Sequence, residues 1–112
     1  MKIYHNPRCS KSRQTLAIIE ELNHDVEIIE YLKQGPSIDE IRDVVKKLGM
    51  KPEQIIRKGE KIFKEDYKGR EMSDEDWIKA MAENPILIER PIVIKGDKAV
   101  LGRPPENVKE LF

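Results

Sequence analysis

Two β-compatible runs, residues 2–5 and Val26–Leu32, are separated by a stretch in which Leu16, Ile19 and Leu22 recur at helical spacing. A link that long, with a helix in it, is the crossover that two parallel strands require, and such crossovers are right-handed. The first third of the chain therefore reads β-α-β.

Ser37-Ile38-Asp39-Glu40 is a capping box ahead of Ile38, Ile41, Val44, Val45 and Leu48, and Gly49 follows as a stop signal. Pro52 starts a further short helix through Ile55 and Ile56, and Ile62 and Phe63 anchor another. Ser73 caps a helix carrying Trp77, Ile78 and Met81, which Asn84-Pro85 ends. Ile92-Val93-Ile94 and Ala99-Val100-Leu101 flank the turn Lys95-Gly96-Asp97-Lys98 and read as a β-hairpin. Pro104 or Pro105 suits the first turn of a last helix with Val108 and Leu111 inward.

The order is β-α-β, a helical block at about 37–84, then β-β-α. That is a thioredoxin-like α/β fold with helices inserted between its halves and a four-stranded mixed sheet. The 112 residues are expected to form a single domain. Pro91 directly precedes the third strand, where this fold places a cis-proline facing a catalytic thiol.

The only cysteine, Cys9, stands where the first strand gives way to the first helix. Unpaired N–H groups and the positive end of the helix dipole favour thiolate there. His5, Arg8, Lys11 and Arg13 add proton-accepting or positive groups nearby. A free thiol with a pKa of about 8.5 is only a few per cent ionised at neutral pH, and lowering it by one to two units ionises roughly a quarter to three quarters. The other reading is an inert cysteine packed as a small apolar residue; its polar, cationic neighbours argue against that.

Composition removes other classes of function. Lys plus Arg and Asp plus Glu number 21 each, so no electrostatic nucleic-acid binder is expected. No apolar run approaches the ~18 residues of a membrane span, and no secretory signal stands at the start, so a cytoplasmic protein is expected. One cysteine rules out an internal disulfide and a Cys-based zinc cage, and two histidines far from other ligands argue against any metal. A redox role for Cys9 needs its second thiol from another molecule.

Arg57 follows Ile55-Ile56, Arg90 precedes Pro91, and Arg103 precedes Pro104-Pro105. In the expected topology Arg90 and Arg103 flank the hairpin at the end nearest Cys9, and Arg57, in the insert, can fold over the same edge. Guanidinium binds tetrahedral oxyanions bidentately, so convergence beside a thiolate makes a phosphate-like anion site. Taken singly, each arginine reads as a solvated surface charge, of which this chain has many.

His5-Asn6-Pro7-x-Cys9-x-x-Ser12-Arg13-x-Thr15, Ile55-Ile56-Arg57-Lys58, Ile86-Leu87-Ile88-x-Arg90-Pro91-Ile92-Val93 and Gly102-Arg103-Pro104-Pro105-Glu106 occur in the order and approximate spacing of the ArsC arsenate reductases. The resemblance, to their glutaredoxin-coupled, thioredoxin-like class, runs from about Lys2 to Leu111. It implies that Cys9 attacks arsenate while Arg57, Arg90 and Arg103 bind the oxyanion. It further implies that His5 sits behind the thiol and favours thiolate, and that Ser12 hydrogen-bonds the sulfur or the oxyanion. No bound cofactor is implied; glutathione is the co-substrate and glutaredoxin the protein partner. This chain has Cys9-Ser10-Lys11-Ser12-Arg13-Gln14-Thr15 where the best-known members read Cys-Gly-Thr-Ser-Arg-Asn-Thr.

Read from the residues alone, His5 is also a strand-end hydrogen-bonding residue and Ser12 a brace of the first helical turn. His24 reads as a turn residue, and Trp77 and Met81 as core. The phosphatase-like arsenate reductases need Cys-x5-Arg, but Thr15 occupies that arginine's place. Two other classes share the fold. One is the Spx regulators, which bind RNA polymerase and often carry a Cys-x-x-Cys switch that Ser12 forbids here. The other is a glutathione-dependent thiol reductase whose oxyanion pocket takes glutathione carboxylates.

Overall fold

The computed structural model describes residues 1–22 and 25–112; His24, expected in a turn, lies outside the described residues. The chain divides into two compact units, Met1–Gln34 with Arg90–Phe112, and Gly35–Glu89.

The first unit carries the sheet. Strands β1 (Lys2–Tyr4), β2 (Glu27–Ile29), β3 (Ile92–Lys95) and β4 (Lys98–Leu101) lie in the order β2-β1-β3-β4. β1 runs parallel to β2 and antiparallel to β3, and β3 and β4 form the hairpin, with Gly96 at φ 59 in its turn. This is the four-stranded mixed sheet of the thioredoxin-like fold. Both early strands are shorter than their apolar runs. The His5 N–H donates to the Ile29 carbonyl at 2.9 Å, and the Glu30 carbonyl then takes the N–H groups of Lys33 and Gln34. Tyr31 and Leu32, expected in the strand, therefore lie in a turn.

Helix α1 (Ser10–Glu21) is the crossover. Its inward stripe is Ser12, Thr15 and Ile19, two of them polar, which apolar periodicity cannot detect. Leu22, expected inward, falls just past the helix and is 42% exposed. Ile3, Ile19, Val93, Val108 and Leu111 form the buried core, with Leu16 and Val100 packed against it. The last helix is 3₁₀ from Pro105 to Leu111 rather than α. Its buried residues Pro105, Val108 and Leu111 recur every third position, and a helix of three residues per turn aligns them on one face.

The second unit contains α2 (Ile38–Leu48) and α3 (Asp74–Glu83), with short 3₁₀ turns at Pro52–Ile55 and Pro85–Leu87 and a π-helical turn at Phe63–Tyr67. In the α2 capping box the Glu40 N–H donates to Ser37 Oγ at 3.1 Å and the Ser37 N–H to Glu40 Oε1 at 3.0 Å. Gly49 ends α2 in the left-handed conformation, φ 66. Ser73 caps α3, and Asp76 completes a second box. The turn at Pro52 stops at Ile55, because Ile56 is extended and bridges to Ile88. Trp77 and Met81 are buried, with the Trp77 ring stacked on Phe63 at 6.1 Å. Ser37→Ala should lower stability by about 1 kcal/mol in urea denaturation, the usual cost of a lost cap.

Candidate active site

The loop after β1 is wound by its own polar groups. Asn6 accepts the Arg8 N–H on Oδ1 and the Cys9 N–H on its backbone carbonyl, both at 3.0 Å. Arg13 donates back to the Pro7 carbonyl at 2.9 Å. These bonds deliver Cys9 to the position just before α1, in extended conformation at φ −95 and ψ 122. The sulfur closes no capping bond of ordinary length, but the Ser12 and Lys11 N–H groups act on it as partial positive charges.

Two guanidinium groups meet that sulfur. Arg103 approaches Cys9 Sγ with one terminal nitrogen at 3.5 Å, while its Nε donates to the Arg90 carbonyl at 2.7 Å. Arg90 faces the sulfur as well. Cys9 is half-buried. That burial pushes the thiol up, but the Ser12 N–H, the Arg90 hydrogen bond, the Lys11 N–H and the Arg90 charge together carry it below its ordinary value. Burial opposes the charge of Arg90 in turn, yet the Cys9 sulfur and the Tyr31 hydroxyl raise its pKa, so it stays cationic. Iodoacetamide alkylation of Cys9 across pH should therefore give an apparent pKa below that of a free thiol, about 8.5; a value at or above it contradicts the geometry.

His5 lies beneath the loop, buried, with Nδ1 2.7 Å from Ser12 Oγ. Burial pushes its pKa below the ordinary range, the Arg13 charge adds to this, and Glu30 opposes it. The ring is therefore neutral near pH 7. Ser12 Oγ already accepts the Asn6 N–H at 3.0 Å, so in the tautomer with the proton on Nε2 its own proton goes to Nδ1. His5 thus reaches Ser12, and Ser12 braces the loop that holds Cys9.

Of the residues singled out from sequence, the first unit brings together Cys9, Ser12, His5, Arg90 and Arg103. The Arg90–Pro91 peptide is cis, as is Arg103–Pro104. Arg57 belongs to the second unit, where it donates to Glu89 Oε1 at 2.8 Å and lies 3.7 Å from Glu60. Sequence reasoning missed Asn6, whose signal was the Asn-Pro turn, and Tyr31, which read as a strand residue. No group of three or more His, Cys, Asp and Glu side chains among the described residues is placed to hold a metal ion. None of the described helices is long and apolar enough to cross a membrane.

Residues 4–111 match the ArsC family. The chain belongs to the ArsC family. The Haemophilus influenzae protein named arsenate reductase is 44% identical over 98% of this chain and 97% of its own length. Escherichia coli YfgD, described as uncharacterized, is 44% identical over 99% of this chain and 95% of its own. Among solved structures, an arsenate reductase from Vibrio cholerae superposes with a TM-score of 0.95 at 43% identity, covering 100% of this chain and 98% of that one. This ArsC chain thus shares its fold, nearly end to end, with relatives that carry an activity in their names.

Proposed function

We propose that this ArsC protein is an arsenate reductase whose single nucleophile is Cys9. The observation that carries the reading is the pair of guanidinium groups, Arg90 and Arg103, turned on one half-buried sulfur with a lowered pKa. A thiolate beside two fixed cations is built to receive an electrophile that is itself an oxyanion. The Cys9 thiolate attacks arsenic(V); a sulfur–arsenic bond forms and one oxygen, once protonated, leaves as water. Arg90 and Arg103 hold the remaining oxygens, and the family resemblance gives Arg57 the role of a further oxyanion ligand. His5 and Ser12 keep the Cys9 loop in place.

Arsenic is still pentavalent in that adduct. Reduction to arsenite takes two electrons, supplied as two thiols become one disulfide, and Cys9 is the only thiol in the sequence. Glutathione attacks the arsenic of the Cys9 adduct and a second oxygen leaves as water. A glutaredoxin thiolate then attacks the glutathione sulfur, forming the mixed disulfide and leaving the electron pair on arsenic, and water cleaves the Cys9–arsenic(III) bond to release arsenite and the Cys9 thiol. No bound cofactor takes part. Such a thiol economy suits the reducing cytoplasm.

A coupled assay with arsenate, glutathione, glutaredoxin, glutathione reductase and NADPH tests the reading. Arsenate-dependent NADPH oxidation is expected. Turnover of a glutathione mixed disulfide with none of arsenate would instead assign the site to a thiol reductase.

A further inference from the structure

Thr15 is fully buried on α1, and its hydroxyl lies 2.9 Å from the Lys11 carbonyl and 3.3 Å from the Gly102 carbonyl. The single hydroxyl proton is shared between them: the Lys11 contact is the shorter and stays within the helix, while the Gly102 contact is the longer and reaches the buried end of β4. The bond to Gly102 therefore joins two distant stretches of chain. Gly102 also donates its N–H to the Pro91 carbonyl at 2.9 Å. One glycine thus links the backbone next to Arg90, the backbone next to Arg103, and the helix that begins beside Cys9.

The approach is close enough to exclude a side chain. A Cβ on Gly102 would stand 2.5 Å from Thr15 Oγ1, 2.7 Å from Pro91 Cγ and 3.0 Å from Thr15 Cγ2. No left-handed conformation is involved; the glycine is there because the neighbours occupy the space a side chain needs. The Gly102 carbonyl belongs to the peptide that carries the Arg103 nitrogen, so the Thr15 contact bears on the peptide from which the Arg103 side chain departs toward Cys9 Sγ.

We infer that Thr15 and Gly102 form a clamp that positions Arg90 and Arg103 against Cys9. Thr15 touches no reacting atom; it is a positioning residue acting through both arginines. The inference gives the oxyanion site proposed above its positioning residues and rests on that reading for its purpose, though not for its test. Loss of the hydroxyl lets the Gly102–Arg103 peptide drift. Arg103 donates to the sulfur at 3.5 Å and holds the Arg90 carbonyl at 2.7 Å, and Arg90 acts on the thiol by hydrogen bond and charge, so a shift of this pair changes the Cys9 pKa.

Thr15→Val removes the donor at constant shape, Thr15→Ser keeps it, and Gly102→Ala forces the elements apart. The probe is iodoacetamide alkylation of Cys9 across pH, read beside phosphate binding and on folded protein only. Thr15→Val and Gly102→Ala should each raise the apparent Cys9 pKa by about half a unit to one unit and weaken phosphate binding about three- to tenfold. Thr15→Ser should keep both values close to those of the parent. Folded Thr15→Val with an unchanged Cys9 pKa would overturn the clamp, as would equal shifts in Thr15→Ser and Thr15→Val. Loss of the fold in both Thr15→Val and Gly102→Ala would show a purely structural role and overturn it too. The alkylation readout needs no arsenate turnover, so an inactive protein with the expected pKa pattern would sink the proposed activity and leave the clamp standing.

Discussion

Cys9→Ser should abolish arsenate reduction while leaving the protein folded. Oxygen replaces a half-buried sulfur at the head of α1, where serine is itself a favoured residue, so stability should hold or rise slightly. The chemistry does not survive, because a serine hydroxyl is almost wholly un-ionised near pH 7 whereas a thiol of lowered pKa is substantially thiolate. Arg90 and Arg103 remain, so phosphate or arsenate should still bind. Loss of NADPH oxidation with retained anion binding, followed by calorimetry, separates the nucleophile from the site that presents the substrate to it. Retained turnover in Cys9→Ser would remove Cys9 from the mechanism.

The arginines should show the second-largest effect. Each charge-assisted contact contributes roughly 1.5–3 kcal/mol, so Arg90→Ala or Arg103→Ala should lower kcat/KM for arsenate about ten- to a hundredfold at matched folded fraction. Arg90→Ala should also raise the Cys9 pKa, because the hydrogen bond and the positive charge of Arg90 both stabilise the thiolate. Alkylation at a fixed pH near 7 should then slow. Arg57→Ala is expected to weaken arsenate capture too, and it frees Glu89 from its 2.8 Å partner. If all three variants keep parental arsenate kinetics, the arginines are surface charges and the oxyanion site is wrong.

The features legible in the sequence were those with short-range signals. The α2 capping box, the Gly49 stop, the Ser73 cap and the β3–β4 hairpin are set by residues adjacent in the chain, and each stands where its signal placed it, except that Lys95 and Lys98, expected in the hairpin's turn, pair as the last rung of its strands. The crossover from β1 to β2 followed from apolar spacing, but the inward Ser12 and Thr15 did not, since their burial is satisfied by partners rather than by hydrophobicity. The last helix was legible as a helix and not as 3₁₀, because that choice depends on how Val108 and Leu111 meet the core. At the site, Cys9 was marked by its cationic loop, whereas the meeting of Arg90 and Arg103 on its sulfur joins positions far apart in the chain and needed the sheet to be built. Gly102 carried no visible reason to be glycine: its neighbours Thr15 and Pro91 are remote in sequence, and only their close approach explains it.

The most direct test of the account counts arsenite released against thiols supplied. Purified protein, pre-reduced and freed of small thiols, is given excess arsenate. No sustained arsenite release should follow, and mass spectrometry should show any modification at Cys9 alone. Adding glutathione and glutaredoxin should start continuous turnover, with one NADPH consumed per arsenite through glutathione reductase. Sustained arsenite production with no added thiol or other reductant would contradict the account, as would no arsenite with every component present.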